Sequence, residues 1–180
     1  MSSEVAVAPS TPLGGLAAAY GRLCRTLSRA CLALGVAGLV LLIVAVLYQV
    51  FGRYVLNSTP TWAESLALVV VLYVTLLGTA VGVRDAGHIG MESLVALASP
   101  SWRQRIELVI HALVALFGGV MAWQCALLAE SVWDYRLPTL GISEGWRYVP
   151  AVAAGVLITM FSVEHGVALV RGEEVAPTWA

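Results

Sequence analysis

Long apolar runs separated by short charged segments set the pattern of this chain. Twenty-three uncharged residues lie between Arg29 and Arg53, 19 between Glu64 and Arg84, and 22 between Glu107 and Glu130, the last interrupted by His111. A fourth run, from Arg147 to Arg171, passes through Glu164 and His165. About 20 apolar residues in a helix cross the ~30 Å hydrocarbon core of a bilayer, and tilt absorbs small differences. Backbone groups inside lipid must be satisfied internally, which leaves helices or closed barrels, and these runs are too long and continuous for barrel strands. The pattern therefore predicts an all-α membrane domain over 30–170, with spans near 30–52, 62–83, 104–130 and 147–170. Upstream, Leu13, Leu16, Tyr20, Leu23, Cys24 and Leu27 recur at helical spacing, with Arg22, Arg25 and Arg29 on the other flank. That arrangement suits an amphipathic helix over 13–29 lying in the interface, and it equally suits a plain extension of the first span. Residues 1–12 are expected to form a flexible N-terminus and 171–180 a C-terminal tail. Ile89–Ala98 raises the same interfacial question, and Ser99 and Pro100 have the character of a cap and first position for the third helix.

Composition agrees with that reading. Of 180 residues, 59% are hydrophobic and only 12% charged, about half the charged share of a soluble globular protein. Such a chain cannot cover its apolar surface with charge, and it is too apolar to be disordered. The net charge of -1 gives no bias toward nucleic acid. The first 21 residues carry no positive charge and the apolar run that follows is longer than a signal core, so no cleaved signal is expected. Cys24, Cys31 and Cys125 follow no metal-site or disulfide spacing.

Charge matters for direction. All ten basic residues are Arg. With four spans both termini share a side, and that side holds Arg22, Arg25, Arg29, Arg84, Arg103, Arg105 and Arg171 against Arg53, Arg136 and Arg147 opposite. The excess places both termini in the cytoplasm. Arg22, Arg25 and Arg29 would hold the N-terminal segment on anionic membrane lipids. Trp62, Trp133, Trp146 and Tyr148 would form an outer aromatic belt, with Trp102 on the inner side.

Ion and substrate pathways usually show ionisable residues or broken helices at mid-membrane. Here the first span offers Tyr48 and Gln49 near its outer end, the second Tyr73 and Thr75, and Gln124 is the main polar group in the outer half of the third. With no central Asp, Glu, Arg or Pro and no inverted repeat, the chain reads as a partner of a transporting or catalytic protein. No catalytic, substrate-binding or metal site is called for, and no cofactor. One constellation points elsewhere. His111 lies six residues after Arg105 and His165 six before Arg171, on helices running in opposite directions, so both sit about 9 Å from their Arg. Two His at one depth on adjacent helices, with Glu107 and Glu164 near, suit either a b-type haem in a redox-enzyme anchor subunit or a polar cluster at the membrane boundary.

The residues around the second span carry a resemblance. Arg53-Tyr54-Val55-Leu56-Asn57 is followed by Pro60-Thr61-Trp62-Ala63-Glu64, and Gly78, Arg84, Gly87, His88 and Ile89 close the helix. Later, Pro138, Leu140-Gly141-Ile142, Trp146, Tyr148 and Pro150 lead into the fourth. Over most of residues 48–158 the chain resembles the small (Q, DctQ-like) permease subunit of tripartite ATP-independent periplasmic (TRAP) transporters. It departs from that pattern at Ser65, Gly90 and Ser143. The resemblance implies a bacterial inner-membrane subunit that scaffolds a large (M) permease subunit. That partner would carry the sodium and substrate sites and move as an elevator, while a periplasmic substrate-binding protein delivers an organic acid. It also implies structural or interface roles for Arg53, Tyr54, Trp62, Glu64, Arg84 and His88. Arg53 and Glu64, ten residues apart at the outer boundary, either pair across the turn, the favoured reading, or each mark a membrane edge. Gly35 with Gly38 and Gly78 with Gly82 form small-residue stripes suited to close helix approach.

Overall fold

The structure, a computed structural model, describes residues 12–58, 61–85, 100–172, 175 and 178. Four helices carry it: α1 (Pro12–Tyr54), α2 (Thr61–Asp85), α3 (Pro100–Ser131) and α4 (Val149–Arg171). A 3₁₀ turn at Glu144–Arg147 leads into α4. Among the described residues the sole strand-like pairing is an isolated bridge between Arg136 and Ser143. All four helices are long and apolar enough to cross a membrane. The bundle thus has a terminal end, where α1 starts and α4 finishes, and a loop end, where α1 turns into α2 and α3 into α4.

Local chemistry sets the boundaries. α3 begins at Pro100, whose missing N–H costs nothing in a first turn. Ser143 caps the 3₁₀ turn by accepting from the Gly145 amide, and Pro150 sits in the first turn of α4. α4 ends at Gly172, held at φ 69°, a left-handed conformation that glycine takes without a Cβ penalty.

α1 corrects one expectation. It runs unbroken for 43 residues, about 65 Å and roughly twice the hydrocarbon thickness, so 13–29 is an extension of the first span and not a separate interfacial helix. The reason lies in what its stripe packs against. Cys24, Ser28 and Cys31 are buried, Tyr20 and Leu27 pack on the same core, and the Tyr20 hydroxyl donates to the Met160 carbonyl of α4 at 2.8 Å. The stripe that resembled a lipid-facing surface is a docking face for the bundle. The Ile89–Ala98 segment and Ser99 lie outside the described residues.

α4 is the central helix. Nine of its residues are buried, against four in α2. α3 crosses it at a glycine contact: a Cβ on Gly155 would stand 2.6 Å from the Gly118 carbonyl oxygen, and one on Gly118 would stand 2.8 Å from that of Gly155. The Thr159 hydroxyl, beside this crossing, lies 3.2 Å from the Ala115 carbonyl and 2.9 Å from that of Gly155. Such contact replaces hydrophobic drive, which lipid does not supply between helices. Of the two stripes expected from sequence, only Gly38 is close-packed, against Val74 of α2; Gly35, Gly78 and Gly82 face open space.

Candidate functional site: a buried ionic knot

The chemistry of the described residues concentrates at the terminal end. Arg84, at the close of α2, is 2% exposed. Its guanidinium forks onto Glu164 of α4, with Nε to Oε2 at 3.0 Å and Nη2 to Oε1 at 3.1 Å. The remaining Nη1 donates to the Thr178 hydroxyl at 3.2 Å and lies 3.6 Å from Asp85 Oδ1. Paired N–H···O bonds in one plane are the strongest ionic contact a protein makes, and only arginine supplies them. The Arg84 Cζ also stands 5.9 Å from the centre of the Phe161 ring.

Thr178 completes the knot. Its amide and its hydroxyl both reach Asp85 Oδ1, at 3.0 and 2.6 Å. A carboxylate only accepts, so the Thr178 hydroxyl spends its single proton there. The 2.7 Å contact with Ser28 Oγ is then a bond donated by Ser28. Thr178 thereby donates once and accepts twice, the full capacity of a hydroxyl. Arg29 Nε donates to the Thr178 carbonyl at 3.2 Å. Four separate parts of the chain, from α1, α2, α4 and the segment after it, meet in this network.

His165 ties a further group. Its Nε2 lies 2.8 Å from the Arg84 carbonyl, which only accepts, so that nitrogen carries a proton. The carbonyl belongs to the last turn of α2, where no helical partner remains. The His111 ring stacks on that of His165, centres 4.9 Å apart and planes within 3°. This geometry overturns the haem alternative. Two axial imidazoles must aim a nitrogen at one iron from opposite sides, whereas these rings meet face to face and His165 Nε2 is committed to a backbone carbonyl. Among the described residues no three His, Cys, Asp or Glu side chains converge as metal ligands, and the three cysteines are unpaired.

The knot is built to hold position. Every buried side-chain polar atom among the described residues has a hydrogen-bond partner except Ser162 Oγ. Ion pairs among the described residues sit toward the ends of the helices: Arg84 with Glu164 and Asp85, Arg103 with Glu107, Arg147 with Glu144.

The residues expected from sequence fall into two groups. Arg84 is a centre of the structure. Arg53 and Glu64 are both exposed at the loop end, and no ion pair joins them, which corrects the favoured expectation. In water such a pair is worth only ~0–1 kcal/mol, too little to impose one geometry on two long side chains. Tyr54 is 80% exposed; Trp62 lies beside Tyr48, ring centres 5.5 Å apart. Trp102 and Trp146 present large exposed faces near opposite ends of the bundle, and Arg22 and Arg25 are exposed on α1. His88 lies outside the described residues. Sequence reasoning assigned Glu164 only a supporting part beside the histidines and passed over Asp85, Ser28 and Thr178. The signal for Glu164 was present, since an acid within a span calls for a buried partner.

The fold and this knot define a multi-pass α-helical membrane protein whose own interior is a tie between helices. The chain belongs to the family of tripartite ATP-independent periplasmic transporters, DctQ component, which it matches over residues 42–172. It is a TRAP-transporter small permease, a component of a membrane transport complex. A TRAP transporter small permease protein of Haemophilus influenzae is 22% identical over 149 residues, covering 81% of this chain and 90% of that one. The sialic acid TRAP transporter small permease protein SiaQ of Vibrio cholerae is 24% identical over 123 residues, covering 68% and 71%.

Proposed function

We propose that this subunit is the fixed scaffold of a sodium-coupled TRAP transporter, holding a large permease subunit during uptake of an organic acid delivered by a periplasmic binding protein. One observation carries the reading: the buried polar network described above joins helix to helix, while α1 and α3 turn broad apolar faces outward. An element that ties itself rigidly and exposes broad apolar faces is suited to brace a moving neighbour. A carboxylate substrate accords with the sialic acid named for the Vibrio relative. The subunit itself acts without catalysis.

The same reading places the protein in a bacterial inner membrane with the terminal end in the cytoplasm, on the strength of its seven-to-three Arg excess. Arg22, Arg25, Arg29 and Trp102 then anchor the inner boundary, Trp146 the outer one. Arg53, Tyr54, Trp62 and Glu64 offer the large subunit a polar and aromatic contact at the outer boundary. His88 is assigned to the inner one.

Co-expression with the neighbouring large-subunit candidate tests this. The two should co-purify, and proteoliposomes holding both, with binding protein and a sodium gradient, should accumulate the carboxylate, whereas this subunit alone should not. Robust sodium-driven uptake by the isolated subunit overturns the scaffold reading. Reporter fusions after residues 58 and 171 test orientation: activity of a periplasmic reporter at 171 overturns it.

A further inference from the structure

Beside α3 and α4, at the terminal end, lies a second feature that the knot does not use. A cleft of 320 Å³ opens between the start of α3 and the finish of α4, lined by Gln104, Arg105, Leu108, Leu169 and Val170. Gln104 Nε2 bridges the helices there by donating to the Leu169 carbonyl at 3.3 Å. Leu108 is 43% and Val170 68% exposed, so the cleft has an apolar wall open to its surroundings.

Arg105 gives the cleft its charge. Arg103, two residues earlier, pairs with Glu107 at 2.9 Å, which commits the carboxylate nearest in sequence. Among the described residues Arg105 makes no ion pair; its Cζ stands 5.8 Å from the centre of the Trp102 ring, which steadies the guanidinium without neutralising it. Depth follows from length. α3 has 32 residues, about 48 Å, about 18 Å longer than the hydrocarbon core, and the charges Arg103, Arg105 and Glu107 in its first turns put that end at headgroup level. Trp102, 61% exposed, belongs at the same level.

A steadied, unneutralised guanidinium at phosphate depth, above an apolar wall between two helices, matches one class of ligand. We propose that this cleft binds a single anionic phospholipid of the leaflet at the terminal end, its phosphate on Arg105 and an acyl chain along Leu108, Leu169 and Val170. Arginine takes phosphate oxygens in a two-pronged contact, and basic pockets between spans hold lipid headgroups. A zwitterionic lipid brings its own cation to the site and leaves the Arg105 charge less compensated. A soluble phosphate makes no use of the apolar wall. The inference needs only the membrane location of the helices, and stands apart from the identity of the transported acid or the partner subunit.

Native mass spectrometry of the delipidated, detergent-solubilised protein tests it, with dioleoyl phosphatidylglycerol and dioleoyl phosphatidylcholine as probes. The wild type should retain one phosphatidylglycerol at a concentration at least about fivefold lower than phosphatidylcholine requires, the scale expected of one basic residue against an anionic lipid. Arg105→Gln should abolish that preference, and Leu108→Asn should weaken retention of both lipids. Arg136→Gln, which alters an exposed cation at the loop end, should leave it intact. Gel filtration and thermal melting of each variant establish that it is folded; Arg105 lies outside the buried knot, so both should match the wild type. Equal retention of the two lipids overturns the proposal. Equal loss in Arg105→Gln and Arg136→Gln also overturns it, assigning the binding to diffuse surface charge. Displacement of phosphatidylglycerol by excess inorganic phosphate overturns the role of the acyl chain.

Discussion

The two ends of the bundle are joined by different physics. At the terminal end, Arg84, Glu164, His165, Ser28 and Thr178 are nearly sealed from solvent, and each polar group is bound to a specific partner. At the loop end the ties between separate elements are neutral and more exposed, and the Arg147–Glu144 ion pair stays within the 3₁₀ turn. Tyr73 donates to the Trp146 carbonyl at 3.0 Å, Thr139 to Ser65 at 2.6 Å, and Ser143 to the Trp133 carbonyl at 2.6 Å. Tyr48 leans on Trp62, and Trp133 on Trp146. A buried charge without its partner costs several kcal/mol, whereas a neutral bond at a wet boundary is readily exchanged for water. The terminal end therefore fixes which helices are neighbours, and the loop end leaves their separation adjustable.

The sharpest way to break this contrast is Glu164→Gln. It removes the two-pronged partner of the buried Arg84 and leaves only the 3.6 Å contact with Asp85 to offset its charge, so a cost of up to about 3–5 kcal/mol is expected, seen as loss of folded yield and a lowered melting temperature. Joint replacement, Arg84→Met with Glu164→Leu, should be milder than either single change, because the only charge left without a cation is Asp85, which the Thr178 amide and hydroxyl still hold. If the double variant is as damaged as the single ones, the knot acts through shape and not through charge. Mid-bundle, Gly155→Val inserts atoms where the Gly118 carbonyl already stands, and a cost of about 1–3 kcal/mol is expected in a thermal melt.

Smaller effects belong to the loop end. Tyr73→Phe removes one hydrogen bond to the Trp146 carbonyl and should lower stability by about 0.5–1.5 kcal/mol. Its melting temperature should stay well above that of Glu164→Gln; equal losses would erase the difference between the ends. Least of all, a double-mutant cycle on Arg53→Ala and Glu64→Ala should return a coupling energy indistinguishable from zero in the isolated subunit, as the two side chains do not meet. A strong coupling that emerges only when the large subunit is present would place both residues at that interface.

The spans were legible because charge is so sparse that each Arg or Glu marks an edge: Arg53, Glu64, Arg84 and Glu130 all fall at or near helix ends. The Pro100 start of α3 was equally readable, since proline suits a first turn. Neighbour relations were not. Each span is apolar on nearly every side, so periodicity carries little information about which face meets which helix. Glu164 was visible as an acid in a span, yet its partner lies 80 residues away on α2, and nothing local says that α2 and α4 touch. The stripe of Tyr20 and Cys24 had the right period for an interfacial helix, and only the position of α4 shows that it is core. Thr178 carries no signal at all. A lone hydroxyl beyond the last span gains its role from geometry alone.

The knot also sets an order of events during biogenesis. Ser28 and Thr178 are separated by 150 residues, so the bond between them forms only after translation has passed position 178. At ordinary synthesis rates that is roughly 8–30 s after Ser28 is made. Throughout that interval Arg84 and Asp85 lack the hydroxyl they share, and until Glu164 arrives Arg84 also lacks its fork. A nascent or truncated chain thus displays unmatched charge at the membrane boundary, a chemical mark that separates unfinished subunits from finished ones.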